Sequence, residues 1–209
     1  MDAPILPLDA VIANDELERR PVRAADAAAE IRALESIRIA LAGSPRGILQ
    51  KLADTALALC GADSAGISLL EEAEGKRHFR WYATAGVIRE LLWTTLPREA
   101  SPCGAVLDRG APLLMIAPQR HYTFIGQVKP PVSEVLLVPF SVRGSLVGTV
   151  WAVSHGAKQF DREDRRVLGV LTAFAAAAYE RLASMTPQDV IELSRMHRGM
   201  LTPDGKPQE

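Results

Sequence analysis

The sequence is poor in cysteine and carries almost no net charge. Only two cysteines, Cys60 and Cys103, occur among its 209 residues, and they lie far apart along the chain. So few cysteines exclude a disulfide scaffold and fit a reducing compartment such as the cytoplasm. The formal net charge of -1 provides neither a basic surface for nucleic acid nor a strong attraction for an anionic partner.

Long apolar runs and targeting signals are absent as well. The longest apolar stretch, residues 167–179, is shorter than the about 20 residues that a membrane-spanning helix needs. The first twenty residues contain no basic region followed by an apolar run, so we expect no signal peptide. These absences predict a soluble cytoplasmic protein that makes no membrane contact.

The usual motifs of enzymes and metal sites are also missing. The sequence contains no glycine-rich phosphate loop, no G-x-S-x-G and no acidic pair with a nearby base. The cysteines and the four histidines do not follow a metal-ligand spacing such as C-x-x-C or H-x-x-x-H; these histidines are His78, His121, His155 and His197. The patterns therefore predict no catalytic residue and no metal ligand, and they name no cofactor.

The first third of the chain reads as helical after an irregular start. Residues 1–23 carry three prolines and mixed charge, so we expect them to be loosely ordered. Residues 24–45 then contain a helix, because apolar side chains recur at three- and four-residue steps; these are Ile31, Leu34, Ile37 and Leu41. After the break at "GSPRG", Ser44 and Pro45 can start a second helix, which Gly61 ends.

Two hairpins follow these helices. The stretches "SAGISLLE" and "HFRWYATA" alternate in polarity and are joined by "EAEGK", which predicts paired strands with Phe79, Trp81 and Ala83 on one face. Further along, "EVLLVPFSV" and "SLVGTVWAVSH" are joined by Arg143 and Gly144. Glycine supplies the positive φ that a tight hairpin turn requires. Hairpins between terminal helices predict an α+β domain whose antiparallel sheet carries helices on one face.

The last element that the sequence clearly predicts is a long helix. Asp161 in "FDREDRRVL" is a good N-cap, and the helix is expected to continue to about residue 183. Its apolar stripe has a heptad-like spacing, formed by Leu168, Leu171, Ala175, Ala178 and Leu182. Residues 184–209 are expected to form a tail with one short helix. We expect a homodimer built from the 24–45 helix and this long helix, since their apolar stripes exceed what one sheet face can cover.

Three stretches together carry a family resemblance. They are "TLPREASPCGAVLDRGAPLLMIAPQRHYTF", "EVLLVPFSVRGSLVGTVWAVSH" and "FDREDRRVLGVLTAFAAAAYE". Over residues 46–183 the chain resembles the GAF domains found ahead of bacterial sensor histidine kinases. The resemblance implies a sheet of five or six strands in the order 2-1-5-4-3, a small-molecule pocket between the sheet and the loops, and dimerisation through the first and last helices.

GAF domains bind cyclic nucleotides, tetrapyrroles, haem or amino acids, or bind nothing, so function does not follow from the fold alone. No kinase, cyclase or phosphodiesterase unit fits in the residues outside 46–183. We therefore expect a stand-alone, non-catalytic sensory module that binds a small molecule or senses redox state, with a separate histidine kinase or other signalling protein as partner. The alternative is a GAF-type free methionine-R-sulfoxide reductase using Cys103, a reaction that needs a nucleophilic thiol and a resolving partner.

The stretch "SPCGAVLDRG" predicts a short helix capped by Ser101, with Cys103 in its first turn. The helix N-terminus and Arg98 favour the thiolate, whereas burial favours the neutral thiol. Simple packing of a small apolar side chain is the other interpretation. Bilin-binding GAF domains usually place histidine directly after the cysteine, and Gly104 at that position disfavours a bilin. We expect a pocket-facing, modestly reactive thiol that is not a catalytic nucleophile.

The second candidate is "RHYTF", in a loop that the family fold places over the pocket. Arg120, His121 and Tyr122 could hold a carboxylate or phosphate or line a planar ligand, although a solvated loop with Tyr122 tucked inward fits equally. Trp81 and Trp151 lie on strands, where large aromatics are usually core, but a flat pocket would also use them. The predicted ligand-binding residues are Trp81, Cys103, Arg120, His121, Tyr122 and Trp151.

Overall fold

The structure is a computed structural model, and it describes residues 5–184. In this part of the chain, the helices are α1 (Asn14–Arg19), α2 (Ala27–Ala40), α3 (Pro45–Cys60), α4 (Pro102–Arg109) and α5 (Arg162–Ala183). The strands are β1 (Ser64–Ala73), β2 (Lys76–Gly86), β3 (Thr95–Pro97), β4 (Leu113–Ile116), β5 (Glu134–Val142) and β6 (Ser145–Ser154). The predicted tail helix within residues 184–209 lies outside the described residues.

One antiparallel sheet organises the fold. Its strand order is β3-β2-β1-β6-β5-β4, and every neighbouring pair is antiparallel. If the three-residue edge strand β3 is set aside, this is the predicted order 2-1-5-4-3. The α+β class and the sheet architecture predicted from the sequence are confirmed.

Two-residue turns close both predicted hairpins. Glu74 and Gly75 join β1 to β2 with φ values of 53° and 72°, and Arg143 and Gly144 join β5 to β6 with 51° and 82°. Two successive positive φ values match the right-handed twist of the strands, which is why glycine is favoured in such turns. The glycine position predicted for the second hairpin is confirmed.

A bulge in β2 changes which side chains share a face. Ile67 pairs with Ala83, but the next residue, Ser68, pairs with Trp81, so Tyr82 is the extra residue. An extra residue moves the alternation by one position and sends the following side chains to the opposite face. Phe79 and Trp81 therefore lie on the loop side of the sheet, whereas Ala83 lies on the helix side. The prediction that all three share one face is wrong.

Helices α2, α3 and α5 form a layer on one face of the sheet. Helices α3 and α5 pack against each other and the strands, and α2 packs on α3. Their boundaries follow local chemistry: Ser44 caps α3, Gly61 ends it in the left-handed conformation, and Asp161 with Asp164 forms a capping box at α5. The interior between sheet and helices is the helix-side core, which includes Ile48, Leu52, Ile67, Leu168 and Leu171.

The apolar stripe of α5 is used inside the molecule. Leu168, Leu171, Ala175 and Ala178 are at most 1% exposed and belong to the helix-side core. The expectation that this stripe exceeds what the sheet covers is therefore wrong, because the stripe packs on this chain's own sheet. In α2 the stripe is divided, because Ile37 is buried while Ile31 is 67% exposed. Ile39, which is not part of that stripe, is 63% exposed.

The N-terminal segment is ordered where the sequence predicts looseness. A 3-10 turn (Leu8–Ala10) and α1 lie along the free edge of β4, where Ile12 forms a bridge with Met115. The Asn14 side chain donates to the Pro112 carbonyl and accepts from the Leu114 amide, both at close range. An exposed sheet edge carries unpaired backbone groups, and this segment satisfies them. The prediction of a loosely ordered 1–23 is thus wrong for residues 8–20.

Buried side chains anchor the same segment. Leu17 is 1% exposed and belongs to the helix-side core. Arg20 is 8% exposed; it makes a bidentate ion pair with Glu134 at 2.7 and 2.8 Å and donates to the Phe160 carbonyl. A charge this deeply buried is tolerated because the Glu134 carboxylate compensates it, although the Arg20 Nε has no hydrogen-bond partner among the described residues. Among the described helices, none is long and apolar enough to cross a membrane.

Candidate functional site

A cavity of about 40 Å³ lies on the sheet face opposite the helical layer. Its floor is the sheet, one side is the start of α4, and its roof is the irregular segment between β4 and β5. Fourteen residues line it: Trp81, Ile88, Leu96, Ser101, Pro102, Cys103, Pro118, Ile125, Val128, Val132, Val135, Leu137, Trp151 and Val153. Around it lies the loop-side core, which includes Phe79, Val106, Met115, Leu137 and Trp151.

Two tryptophans from neighbouring parts of the sheet form the aromatic floor. The rings of Trp81 and Trp151 lie 5.3 Å apart with an angle of 54° between their planes. The Trp151 indole donates from Nε1 to the Ser68 hydroxyl at 2.9 Å. A Cβ at Gly66 would lie 2.3 Å from the Trp151 ring, so the indole occupies the space that only glycine leaves free at that position.

Cys103 lies where the sequence predicts it, in the first turn of a capped helix. Ser101 accepts from the Cys103 amide at 3.2 Å, Pro102 is the first helical residue, and Gly110 ends α4 in the left-handed conformation. The thiol side chain is 4% exposed and lines the cavity. The predicted helix and the pocket-facing position of Cys103 are both found.

Burial decides the protonation of this thiol. Burial raises the pKa of Cys103 above its ordinary value, and the hydroxyls of Thr149, Ser68 and Ser101 oppose this only in part. The Thr149 hydroxyl donates to the sulfur at 3.1 Å, so the partner of the thiol is a hydroxyl and not an imidazole or carboxylate. At neutral pH the sulfur is therefore a thiol rather than a thiolate, and the nucleophilic form is rare.

The glycine after Cys103 has a steric cause in this chain. A Cβ at Gly104 would lie 2.1 Å from the backbone carbonyl oxygen of Arg98. No side chain, histidine included, fits at this position unless the Arg98 backbone moves. The departure from the bilin-type cysteine–histidine pair is thus part of how α4 packs against the turn before it.

The second sequence candidate, "RHYTF", does not reach the cavity. Arg120 is exposed, and its carbonyl accepts from the Leu6 amide at 2.8 Å. His121 contacts the Leu6 carbonyl through Nδ1 at 2.7 Å. Tyr122 is 5% exposed and packs in the loop-side core beside His121. The structure therefore brings Trp81, Cys103 and Trp151 together at the cavity, while the other three predicted residues hold the N-terminal segment and fill the core.

Sequence reasoning missed the rest of the lining. The roof residues Pro118, Ile125, Val128 and Val132 come from 3-10 turns and coil, where no periodic pattern indicates which side chains face inward. The strand residues of the lining could have been predicted from the sequence. Val135 and Leu137 lie two residues apart in β5, and Trp151 and Val153 lie two residues apart in β6. Side chains two residues apart share a face of a strand.

The second cysteine lies on the other side of the sheet. Cys60 ends α3, is 1% exposed and belongs to the helix-side core, where burial raises its pKa to about 12. Both cysteines are free thiols, and the sheet separates them. Cys60 cannot act as a resolving partner for Cys103 in this fold. Within residues 5–184, no three His, Cys, Asp or Glu side chains are grouped to hold a metal ion.

Comparison with known proteins agrees with this architecture. A family model described as "GAF domain" matches residues 42–180, and no curated protein matches the chain. The GAF domain of Acinetobacter phosphoenolpyruvate-protein phosphotransferase superposes with a TM-score of 0.65 at 17% identity, over 76% of this chain and 95% of that one.

Two further solved structures share the fold. The phycoerythrobilin-bound GAF domain of a cyanobacterial phytochrome gives a TM-score of 0.58 at 12% identity, over 79% of this chain and 100% of that one. The free methionine-R-sulfoxide reductase of Neisseria meningitidis gives 0.56 at 20% identity, over 77% and 95%. At these identities the likeness extends to the fold and not to the chemistry.

Proposed function

Because this chain belongs to the GAF domain family, we propose that it is a non-catalytic sensory module that binds a small molecule and signals as a homodimer through its N-terminal helices. The observation that carries the proposal is the cavity on the loop side of the sheet, walled by Trp81, Cys103 and Trp151. An apolar concavity with few polar groups is the common form of a small-molecule site.

A contact path leads from the cavity to the helical layer. The roof segment contains Pro118, and two residues later Arg120 and His121 contact the backbone of Leu6. From Leu6 the chain runs along β4, through α1, and into α2. A ligand that displaces the roof would therefore shift the segment that positions α2, which gives the sensor a mechanical output.

We place the dimer interface on the exposed face of α2. Ile31 and Ile39 lie two helical turns apart on that helix and are largely exposed, whereas the apolar stripe of α5 is consumed within the chain. Two such helices side by side would remove both isoleucines from water. A separate histidine kinase or other signalling protein is the proposed downstream partner, in the cytoplasm, where free thiols persist.

The reductase alternative has less support. Its chemistry needs a thiolate and a second thiol within reach, but the Cys103 thiol is neutral through burial and Cys60 lies across the sheet. Redox sensing through Cys103 has the same weakness. The proposal therefore centres on ligand binding and not on thiol chemistry.

Two measurements on the purified chain test the proposed function. A thioredoxin-coupled assay with free methionine-R-sulfoxide is expected to show no turnover above the Cys103→Ser variant; robust turnover lost in that variant would establish the reductase instead. Native mass spectrometry together with the absorption spectrum is expected to reveal a bound small molecule. Turnover and a bound sensor ligand are separate readouts, so one result does not decide the other.

A further inference from the structure

The cavity wall is almost entirely apolar. Of its fourteen lining residues, none is Asp, Glu, Lys, Arg or His. The aliphatic side chains come from the segment after β2 (Ile88 and Leu96), from β5 (Val135 and Leu137) and from the roof before β5. The wall offers a ligand no counter-charge.

Most polar side-chain atoms at the cavity wall already form hydrogen bonds with other groups of the protein. The indole N–H of Trp151 is donated to Ser68. The Ser101 hydroxyl oxygen accepts from the Cys103 amide, and the Cys103 sulfur accepts from Thr149. What remains for a ligand is little more than the O–H of Ser101 or the weak S–H of Cys103 as a donor.

Two arginines near the two ends of α4 are also paired elsewhere. Arg98 forms an ion pair with Asp108, and Arg109 forms one with Asp9 of the N-terminal segment. Neither arginine lines the cavity. An anionic ligand in the cavity would thus find no cation facing it.

From this wall chemistry we propose that the cavity binds a small, uncharged, mainly apolar molecule of the monocyclic aromatic class, with at most one hydrogen-bonding group. The inference rests on the proposed ligand-binding function and specifies its ligand. Burying a charge without a partner is strongly unfavourable, and an unpaired polar group is costly as well. Trp81 and Trp151 both line the cavity, and aromatic groups associate favourably in offset-stacked or edge-to-face arrangements.

The size of the cavity limits the ligand further. Its volume of about 40 Å³ is well below the about 150 Å³ of an engineered cavity that takes benzene. Even a single ring must therefore displace part of the wall. The roof is the part that can move, because it consists of 3-10 turns and coil and not of paired strand. A tetrapyrrole would require the cavity to be rebuilt.

Four fluorinated probes with the same ring test the inference on the full chain by ¹⁹F NMR titration. They are 4-fluorotoluene, 4-fluorophenol, 4-fluorobenzoate and 4-fluorobenzylamine, which differ in charge and hydrogen bonding. We expect the two neutral probes to bind saturably, and the anion and the cation to bind at least about 100-fold more weakly, since several kcal/mol of desolvation go uncompensated.

Variants locate the binding. Val132→Phe and Ile125→Phe each add volume at the roof, where both residues are buried, and each is expected to weaken the neutral probes at least about tenfold. Val87→Phe is the matched control, because Val87 is 52% exposed and does not line the cavity. Circular dichroism on each variant shows whether the fold is retained. Because two roof positions are substituted independently, the test still works if one of the two variants does not fold.

The possible outcomes distinguish the proposed ligand class from the proposed binding of a ligand in this cavity. If a charged probe binds more tightly than the neutral pair and is lost in both roof variants, the ligand class is wrong but the cavity is still the binding site. If no probe binds the folded protein, the inference fails, and native mass spectrometry of the purified chain decides separately whether the proposed ligand binding stands. If neutral probes bind equally well to wild type and to both roof variants, they occupy another site, and the assignment to this cavity is overturned.

Discussion

At the scale of single residues, Cys103 is a buried thiol whose environment opposes ionisation. Because burial raises its pKa, the folded state favours the protonated form, and stability is expected to fall as the pH rises above the ordinary thiol value of about 8.5. In a Cys60→Ala background, where Cys103 is the sole thiol, we expect iodoacetamide to label the native protein very slowly at pH 7. Labelling should become complete once the protein is unfolded in urea. Rapid native labelling at pH 7 would mean that the thiol is activated and exposed.

A second prediction at the residue scale concerns the effect of Gly104 on the free energy of unfolding. Its missing Cβ lets the Arg98 carbonyl approach α4, so Gly104→Ala is expected to destabilise the fold by about 1–3 kcal/mol, the usual cost of overpacking. Gly169→Ala in α5 is the matched control, because a Cβ there meets nothing within 4 Å. That variant should be neutral or up to about 1 kcal/mol more stable, since alanine favours the helix. Urea denaturation measures both; equal effects would contradict the steric argument.

At the scale of elements, the N-terminal segment that contains α1 is packed into the domain. Leu17 of α1 is 1% exposed in the helix-side core, so Leu17→Ala is expected to cost about 2–5 kcal/mol of unfolding free energy. Val22→Ala, at a side chain that is 45% exposed, should change it by less than about 0.5 kcal/mol. Denaturant titration of the two variants provides the comparison. A loosely attached segment would give two small, similar values.

At the scale of the whole molecule, the proposed dimer depends on α2. Ile31 and Ile39 are its large exposed apolar side chains, and charging both in Ile31→Glu/Ile39→Glu should leave a folded monomer, because two carboxylates would be buried without partners. The exposed site Val87→Glu is the control and should keep the dimer. Light scattering at tens of micromolar distinguishes these states. A wild-type monomer at that concentration would refute the proposed assembly.

Local chemistry in the sequence was enough for several boundaries and for the element order apart from α1 and β3. Ser44, Ser101 and Asp161 cap helices where predicted, because a cap depends on a few neighbouring residues and not on distant contacts. The same holds for the Arg143–Gly144 turn. The alternation of the strands then predicted paired strands, and the family resemblance alone implied the sheet order and the pocket side.

What the sequence determined by itself was therefore the class of fold, the capped helix of Cys103 and the two tryptophans of the cavity. Tertiary structure alone decided which way each face points and what each polar group meets. The bulge at Tyr82 moved Ala83 to the helix side, and the edge of β4 ordered the N-terminal segment. The Leu6 carbonyl took the contact of the His121 ring that was expected to go to a ligand, while the Arg120 side chain is exposed. Each of these depends on residues distant in the chain, whose proximity no local periodicity records.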